Sequence, residues 1–181
     1  MQALVHEELK AFLAQYPEIE MLEVLMPDIN GIFRTKRIHR SEFDALVAGS
    51  LKAVATQPLV TTMGEYHDEV DPQLLVGEPD KKLLAVAGSL ASIPWLSSPT
   101  GQVMANLYEM DGSPAWVDPR HVLAGVVDRL HADGLYPSVA TEMEFYLLAS
   151  GEAAEPRPLR GRIRSMGQEQ QGIQYALPED M

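Results

Sequence analysis

Apolar residues recur at helical spacing over residues 4–16, where Leu9, Phe12, Leu13 and Tyr16 gather on one side and Pro17 ends the pattern. The period then drops to two. Leu22, Val24 and Met26 alternate with mixed neighbours before the segment P-D-I-N-G at 27–31. Asn30-Gly31 is a strong turn signal, and residues 31–38 suit a strand returning from it. Ser41, with Asp44 three positions later, is the expected cap of a second helix carrying Phe43, Leu46 and Val47, with Gly49 as its stop. Residues 51–110 break into short apolar runs. Strands are expected at 58–63, 74–76, 83–87 and 103–108, with Asp71-Pro72, Glu78-Pro79-Asp80 and the S-P-T-G of 98–101 as punctuation. A small mixed sheet with one or two helices accounts for this half.

The segment D-G-S-P at 111–114 marks the best boundary. Beyond it Asp118 and Pro119 read as an N-cap and first helical residue, and Val122, Leu123, Val126, Val127 and Leu130 as the buried face of that helix. Gly134 ends it, and an apolar run follows at once, which predicts an α/β layer and not a hairpin sheet. The run 138–148, S-V-A-T-E-M-E-F-Y-L-L, carries the most chemistry. As a strand it puts Glu142 and Glu144 on one face, roughly 7 Å apart. Val139, Thr141, Met143, Phe145 and Leu147 line the other. Two carboxylates beside a core repel and resist desolvation unless a positive charge binds them. A hard cation such as Mg²⁺ or Mn²⁺ is the simplest candidate. The competing reading is an ordinary strand whose glutamates face water.

Charge and composition narrow the classes. A net charge of -12, from 26 acidic and 14 basic side chains, argues against nucleic acid and anionic membrane as partners. There are no cysteines, so disulfides and thiolate metal sites are excluded. The first ten residues lack the basic, apolar and small-residue regions of a leader, and no window reaches the 18 apolar residues of a membrane span. A cytoplasmic location is the expectation. Residues 151–171 are rich in Gly, Pro, Glu, Arg and Gln. Their arginines at 157, 160, 162 and 164 are candidates to contact phosphate or another subunit, against a plain solvated loop. His6, His39, His67, His121 and His131 are scattered singly and read as structural or exposed. One helix and one strand after residue 113 cannot make a stable parallel sheet alone, so the chain is expected to be part of a longer polypeptide.

Three segments together resemble the N-terminal part of the glutamine synthetase family. V-L-M-P-D-I-N-G-I-F-R-T-K at 24–36 is similar to the opening hairpin of that family's β-grasp domain. D-G-S-P-A-W-V-D-P-R-H-V-L at 111–123 resembles the passage into its catalytic barrel, and T-E-M-E-F-Y-L-L at 141–148 its E-x-E-F strand. The resemblance implies an α+β fold: an N-terminal helix at 1–16, a β-grasp domain at 17–112, and from 113 to 181 the first helix and strand of an incomplete catalytic α/β barrel. It also implies ATP and Mg²⁺ or Mn²⁺ as cofactors. Glu142 would bind the ion nearer ATP, making it the cofactor-binding residue as well as a metal ligand, and Glu144 the ion on the glutamate side. ATP would activate the glutamate side chain as γ-glutamyl phosphate, and ammonia or a larger primary amine would displace phosphate to give an amide.

Further ligands of the family pattern fall beyond Met181, so the 181-residue chain is expected to be inactive alone and its catalytic residues stay unassigned. Ammonia-using members carry Asp-Gly-Ser-Ser in a β-grasp loop that reaches the neighbouring subunit's active site. Here the comparable segment, 58–68, reads P-L-V-T-T-M-G-E-Y-H-D. That departure favours a larger amine such as a polyamine, with Glu65, Tyr66 and Asp68 as candidate contributors or else a polar surface turn. The family assembles as rings with intersubunit sites, which implies a homo-oligomer for the full-length protein. A catalytically silent relative that binds or regulates is the alternative. A glycoside hydrolase fits poorly, because neighbouring same-face acids do not flank a scissile bond.

Overall fold

A computed structural model of the chain describes residues 2–66, 68–145, 148, 164–165 and 168–169. It forms two compact units, Met1–Pro137 and Ser138–Met181. His67, Leu147 and the arginines at 157, 160 and 162 lie outside the described residues.

In the first unit α1 (Gln2–Gln15) buries Val5, Leu9 and Phe12, one stripe at i, i+4 and i+7, with Leu13 and Tyr16 at its margin. The alternation of β1 (Met21–Pro27) puts Leu22, Val24 and Met26 in the core. β2 (Phe33–His39) returns antiparallel, with Leu22 opposite Ile38, Val24 opposite Lys36 and Met26 opposite Arg34. Directly opposed residues share a face, so two basic side chains of β2 stand on the core side, and only Ile38 is buried there. Both reach over the edge to backbone carbonyls, Lys36 Nζ donating to Lys52 O at 2.8 Å and Arg34 Nη2 to Thr61 O at 3.0 Å.

A 3-10 turn (Arg40–Glu42) leads into α2 (Phe43–Val47), which buries Phe43 and Leu46. The cap is not Ser41. His39 fills that role, its Nδ1 accepting from Ser41 N at 3.3 Å while Glu42 Oε2 accepts from His39 N at 3.4 Å. The turn begins two residues early because Glu42 can close this reciprocal box and Asp44 cannot. After β3 (Lys52–Val54) come β4 (Asp80–Ala85), β5 (Ala91–Ser92) and β6 (Thr100–Tyr108). The sheet runs β2-β1-β6-β4-β3 with β5 beside β6. β1 and β6 are parallel and every other pair is antiparallel. Val103, Ala105 and Leu107 of β6 meet Leu83 and Ala85 of β4 in the same core, which α1 and α2 cover.

Two expected strands are absent. Residues 58–63 instead begin inside a 3-10 turn (Gln57–Leu59) and make one isolated bridge, Val60 with Tyr66. Their carbonyls are taken by the β1–β2 turn, which leaves no ladder to join. Residues 74–76 fall in and just after a helical turn, α3 (Pro72–Leu75), which Asp71 caps by accepting from Gln73 N at 2.9 Å.

α4 (Pro119–Ala132) begins as expected, Asp118 Oδ1 accepting from Arg120 N at 2.8 Å. It ends in a Schellman motif, with Gly134 at φ 74° and Leu135 N donating to Leu130 O at 2.9 Å. The expected buried face is a correction: no residue of α4 is buried, and Val122 and Leu123 are 57% and 62% exposed. An apolar stripe is buried only against another layer, and among the described residues no layer covers this one fully: Val127 and Leu130 are half-buried and the rest exposed. The two-glutamate strand is a second correction. Residues 138–145 are exposed and carry no regular structure, so Glu142 and Glu144 share no strand face. A strand exists through its hydrogen-bonded neighbours. Among the described residues of the second unit, the paired strands are β7 (Arg164–Ser165) and β8 (Gln168–Glu169), which pair with each other.

Candidate functional site

Glu142 and Glu144 are solvent-exposed, and among the described residues neither makes an ion pair or side-chain hydrogen bond. Among those residues no group of three or more His, Asp or Glu side chains could hold a metal ion. Two free carboxylates nevertheless match the hard-oxygen preference of Mg²⁺ or Mn²⁺. Such ions commonly take one or two protein carboxylates and fill the rest of the shell with water and phosphate oxygens. The pair fits a share of such a site. Three of the described histidines have other contacts: His39 caps a turn, His121 Nε2 donates to Leu107 O at 2.9 Å, and the His131 ring lies 5.0 Å from that of Tyr136.

The β1–β2 turn carries a dense polar constellation in the first unit. Asp28 is 2% exposed. Its Oδ1 accepts from Asn30 N at 2.8 Å and Ile32 N at 2.9 Å, and its Oδ2 from Arg34 Nε at 2.9 Å and Nη2 at 2.7 Å. Burial pushes the Asp28 carboxyl up, but the bonds from Ile32, Arg34 and Asn30 outweigh it and hold the carboxyl below its ordinary value. Asn30-Gly31 therefore does not form a two-residue hairpin. Five residues, 28–32, are wound about the Asp28 carboxylate, with Gly31 at φ 77°.

That turn, together with Arg34 of β2, grips residues 58–61 by their backbone. Ile29 N donates to Pro58 O at 3.0 Å, Asn30 Nδ2 to Val60 O at 2.8 Å and Arg34 Nη2 to Thr61 O at 3.0 Å. Residues 61–65 then close a tight tip, Thr61 N donating to Glu65 O at 2.7 Å and Glu65 N to Thr61 Oγ1 at 3.2 Å. The tip exposes Met63 and Glu65.

Of the three loop residues singled out from sequence, Tyr66 has its hydroxyl engaged. It donates to Glu78 Oε1 at 2.7 Å and lies 3.0 Å from the buried Thr56 Oγ1, which must then donate to it. Gly77 and Glu78, at φ 79° and 35°, carry the chain through the turn that presents this carboxylate. Glu65 and Asp68 remain exposed. Asp28 and Arg34 were not singled out by the sequence reading. Their signals were an Asp two positions before Asn-Gly, where its side chain can bond the backbone two residues on, and an Arg at a core-side strand position.

A glutamine synthetase catalytic-domain model matches residues 116–180. Over 151 residues the chain is 36% identical to gamma-glutamylputrescine synthetase PuuA of Escherichia coli, covering 82% of this chain and 31% of that protein. It is 32% identical over 85 residues to glutamine synthetase of Thermotoga maritima, covering 46% and 19%, and 31% identical over 134 residues to glutamate–isopropylamine ligase of a Pseudomonas species, covering 72% and 28%. A crystal structure of a novel glutamine synthase homolog superposes with a TM-score of 0.50 at 18% identity, over 64% of this chain and 27% of that one. A GmaS complex with ADP gives 0.50 at 20%, over 68% and 25%. The chain spans less than a third of the length of these relatives. Its α+β fold is like that of these solved structures, and the chain matches the glutamine synthetase family, through that family's catalytic-domain model over residues 116–180.

Proposed function

We propose that this chain is the N-terminal portion of an ATP-dependent glutamate–amine ligase, with residues 17–112 as its β-grasp domain and 113–181 as the start of its catalytic domain. The observation that carries the reading is the catalytic-domain match over 116–180, which includes Glu142 and Glu144. These carboxylates would hold Mg²⁺ or Mn²⁺ beside ATP. The ion, when bound, supplies charge neutralisation for phosphoryl transfer. The glutamate substrate is activated as its γ-phosphate and an amine displaces phosphate. Neither Glu142 nor Glu144 serves as a base in this scheme, since a carboxylate holding a cation is a weak proton acceptor.

The amine is a primary amine larger than ammonia. Support comes from the loop sequence, which lacks Asp-Gly-Ser-Ser, and from two relatives whose names specify putrescine and isopropylamine as the joined amine. Sites shared between subunits of a homo-oligomeric ring complete the proposal, with the 57–66 loop facing a neighbour.

The test is glutamate-dependent phosphate release from ATP by the full-length protein, comparing ammonia with putrescine, isopropylamine and other primary amines. Release with an organic amine and little with ammonia is expected. No release with any amine would replace this reading by that of a catalytically silent relative.

A further inference from the structure

We propose that Asn30-Gly31 is a spontaneous modification site: Asn30 converts to aspartate or isoaspartate when its bond to the 58–61 segment opens, and the product keeps that bond from re-forming. The chemistry follows from the dipeptide. The Gly31 backbone nitrogen, having lost its proton, attacks Asn30 Cγ. An N–Cγ bond forms, the Cγ–Nδ2 bond breaks, and the side-chain nitrogen leaves as ammonia. Water then opens the cyclic imide at one of its two carbonyls, giving an aspartyl or an isoaspartyl linkage. Glycine hinders the attack least, since it has no Cβ. Asn30 and Gly31 are both exposed, and nothing lies within 4 Å of a Cβ built on Gly31, so water reaches the site.

In the folded chain both reacting groups are occupied. Gly31 N donates to Asp28 O at 3.1 Å, which holds the proton that must be lost. Asn30 Nδ2 donates to Val60 O at 2.8 Å, which ties down the amide that must rotate and leave. That second bond joins residues 30 positions apart, so the reaction responds to the state of the 58–61 segment and not of the turn alone. Asn106, the chain's only other asparagine, is an internal comparison. It precedes Leu107 on β6, whose amide is held by Asp118 Oδ2 at 2.6 Å, and it should not convert.

Conversion reverses what Asn30 contributes. An ionised carboxylate has no hydrogen to give, so Val60 O loses its donor and faces a negative charge instead. The new charge also stands two residues from Asp28, whose carboxylate accepts from Asn30 N. The isoaspartyl form adds a backbone carbon between residues 30 and 31. The turn wound about Asp28 cannot then keep Gly31 N on Asp28 O and Ile32 N on Asp28 Oδ1. Either product weakens the hold on 58–61, including the bond from Ile29 N to Pro58 O at 3.0 Å. Loss of ammonia to solvent makes the step irreversible.

Peptide mapping of the 181-residue chain, aged at mildly alkaline pH, tests the site. Amide-to-acid conversion at Asn30 should be about tenfold slower in buffer than in guanidinium chloride, where both bonds are gone, with Asn106 unconverted in buffer. Asp28→Ala frees Asn30 N and Ile32 N, and should bring the rate in buffer toward that in denaturant. Asn30→Asp reproduces the aspartyl product. It should speed exchange of the Ile29 amide about tenfold while the amides pairing β1 to β6 hold. Asn30→Ser, which loses the donor without gaining the charge, should speed it less. No conversion at Asn30 in denaturant would overturn the site. Equal rates in buffer and denaturant, or an Asp28→Ala rate no higher than wild type, would overturn its restraint by the fold. Unchanged Ile29 exchange in Asn30→Asp would overturn the release of 58–61. Should Asp28→Ala fail to fold, the denaturant comparison and Asn30→Asp still decide the inference, and no readout depends on ligase activity.

Discussion

Gly101 lies under the ring of Phe12: a Cβ built on the glycine would stand 3.0 Å from Phe12 Cζ, and 2.6 Å from Leu22 Cδ2. Helix α1 docks on β6 at that point, and both neighbours are buried and cannot yield freely. Gly101→Ala should cost about 1–3 kcal/mol through overpacking. Urea titration should show a lower midpoint with an unchanged slope. A neutral result would mean the helix is not seated at this distance.

Gly125, inside α4, has nothing within 4 Å of a built Cβ. The same substitution there should have the opposite sign. Gly125→Ala should raise stability by about 0.5–1 kcal/mol, because the unfolded chain loses freedom and the helix loses nothing. Destabilisation would indicate that the stripe at this position is covered in solution.

Acid should release the β1–β2 turn. The Asp28 carboxyl is held below its ordinary value of 3.8 in the folded chain. A depressed folded pKa contributes stability that is fully present above the unfolded value and is lost as pH falls through the lower folded one. The stability gap between wild type and Asp28→Asn should therefore be largest near neutrality and shrink below about pH 4. Asp111 is held low as well, by bonds from the Ser113 hydroxyl and amide, so the difference between the two proteins, not the wild-type curve, is the quantity to follow. A gap that does not change with pH would show that Asp28 acts without its charge.

Asp118 joins α4 to the sheet. One carboxylate oxygen caps the helix at Arg120 N and the other accepts from Leu107 N of β6 at 2.6 Å. Asp118→Ala removes a cap and orphans a buried strand amide, at a combined cost of about 2–4 kcal/mol. Asp118→Ser, too short to reach β6, should recover only the capping share. Equal losses in the two variants would assign the whole effect to Leu107.

In the full-length protein, Glu142→Gln and Glu144→Gln should each weaken Mn²⁺ binding on the order of tenfold or more, measured by calorimetry in the presence of ATP. Wild-type affinity in both variants would remove these residues from the metal site.

Where sequence and structure agree, a local pattern meets a partner the chain itself supplies. The two-residue period of Leu22, Val24 and Met26 finds its layer in α1 and α2, and Asp118-Pro119 starts a helix on its own chemistry. Asp71-Pro72 carries the same capping pattern, yet the apolar letters after it favoured a strand over the helical turn it starts. The 58–63 run was illegible for another reason: its fate depends on carbonyls bound by a turn some thirty residues earlier in the chain. Val122, Leu123 and the Glu142 strand fail alike, since burial and pairing need neighbours and no described residue provides them. Of the candidate site, the acidic pair and the loop were legible as letters. The Asp28–Arg34 clamp that organises the loop became visible only in three dimensions.

The parallel pairing of β1 with β6 has a consequence for how the protein is made. Met21 meets Thr100 across 79 positions of chain, and Leu25 meets Met104. The opening hairpin thus leaves the ribosome with one edge of β1 unsatisfied until most of the first unit has been synthesised. Closing so long a loop is slow compared with forming the hairpin or α1. Throughout that interval the β1 edge that β6 will pair stays open, so the nascent chain is most prone to aggregate before β6 arrives.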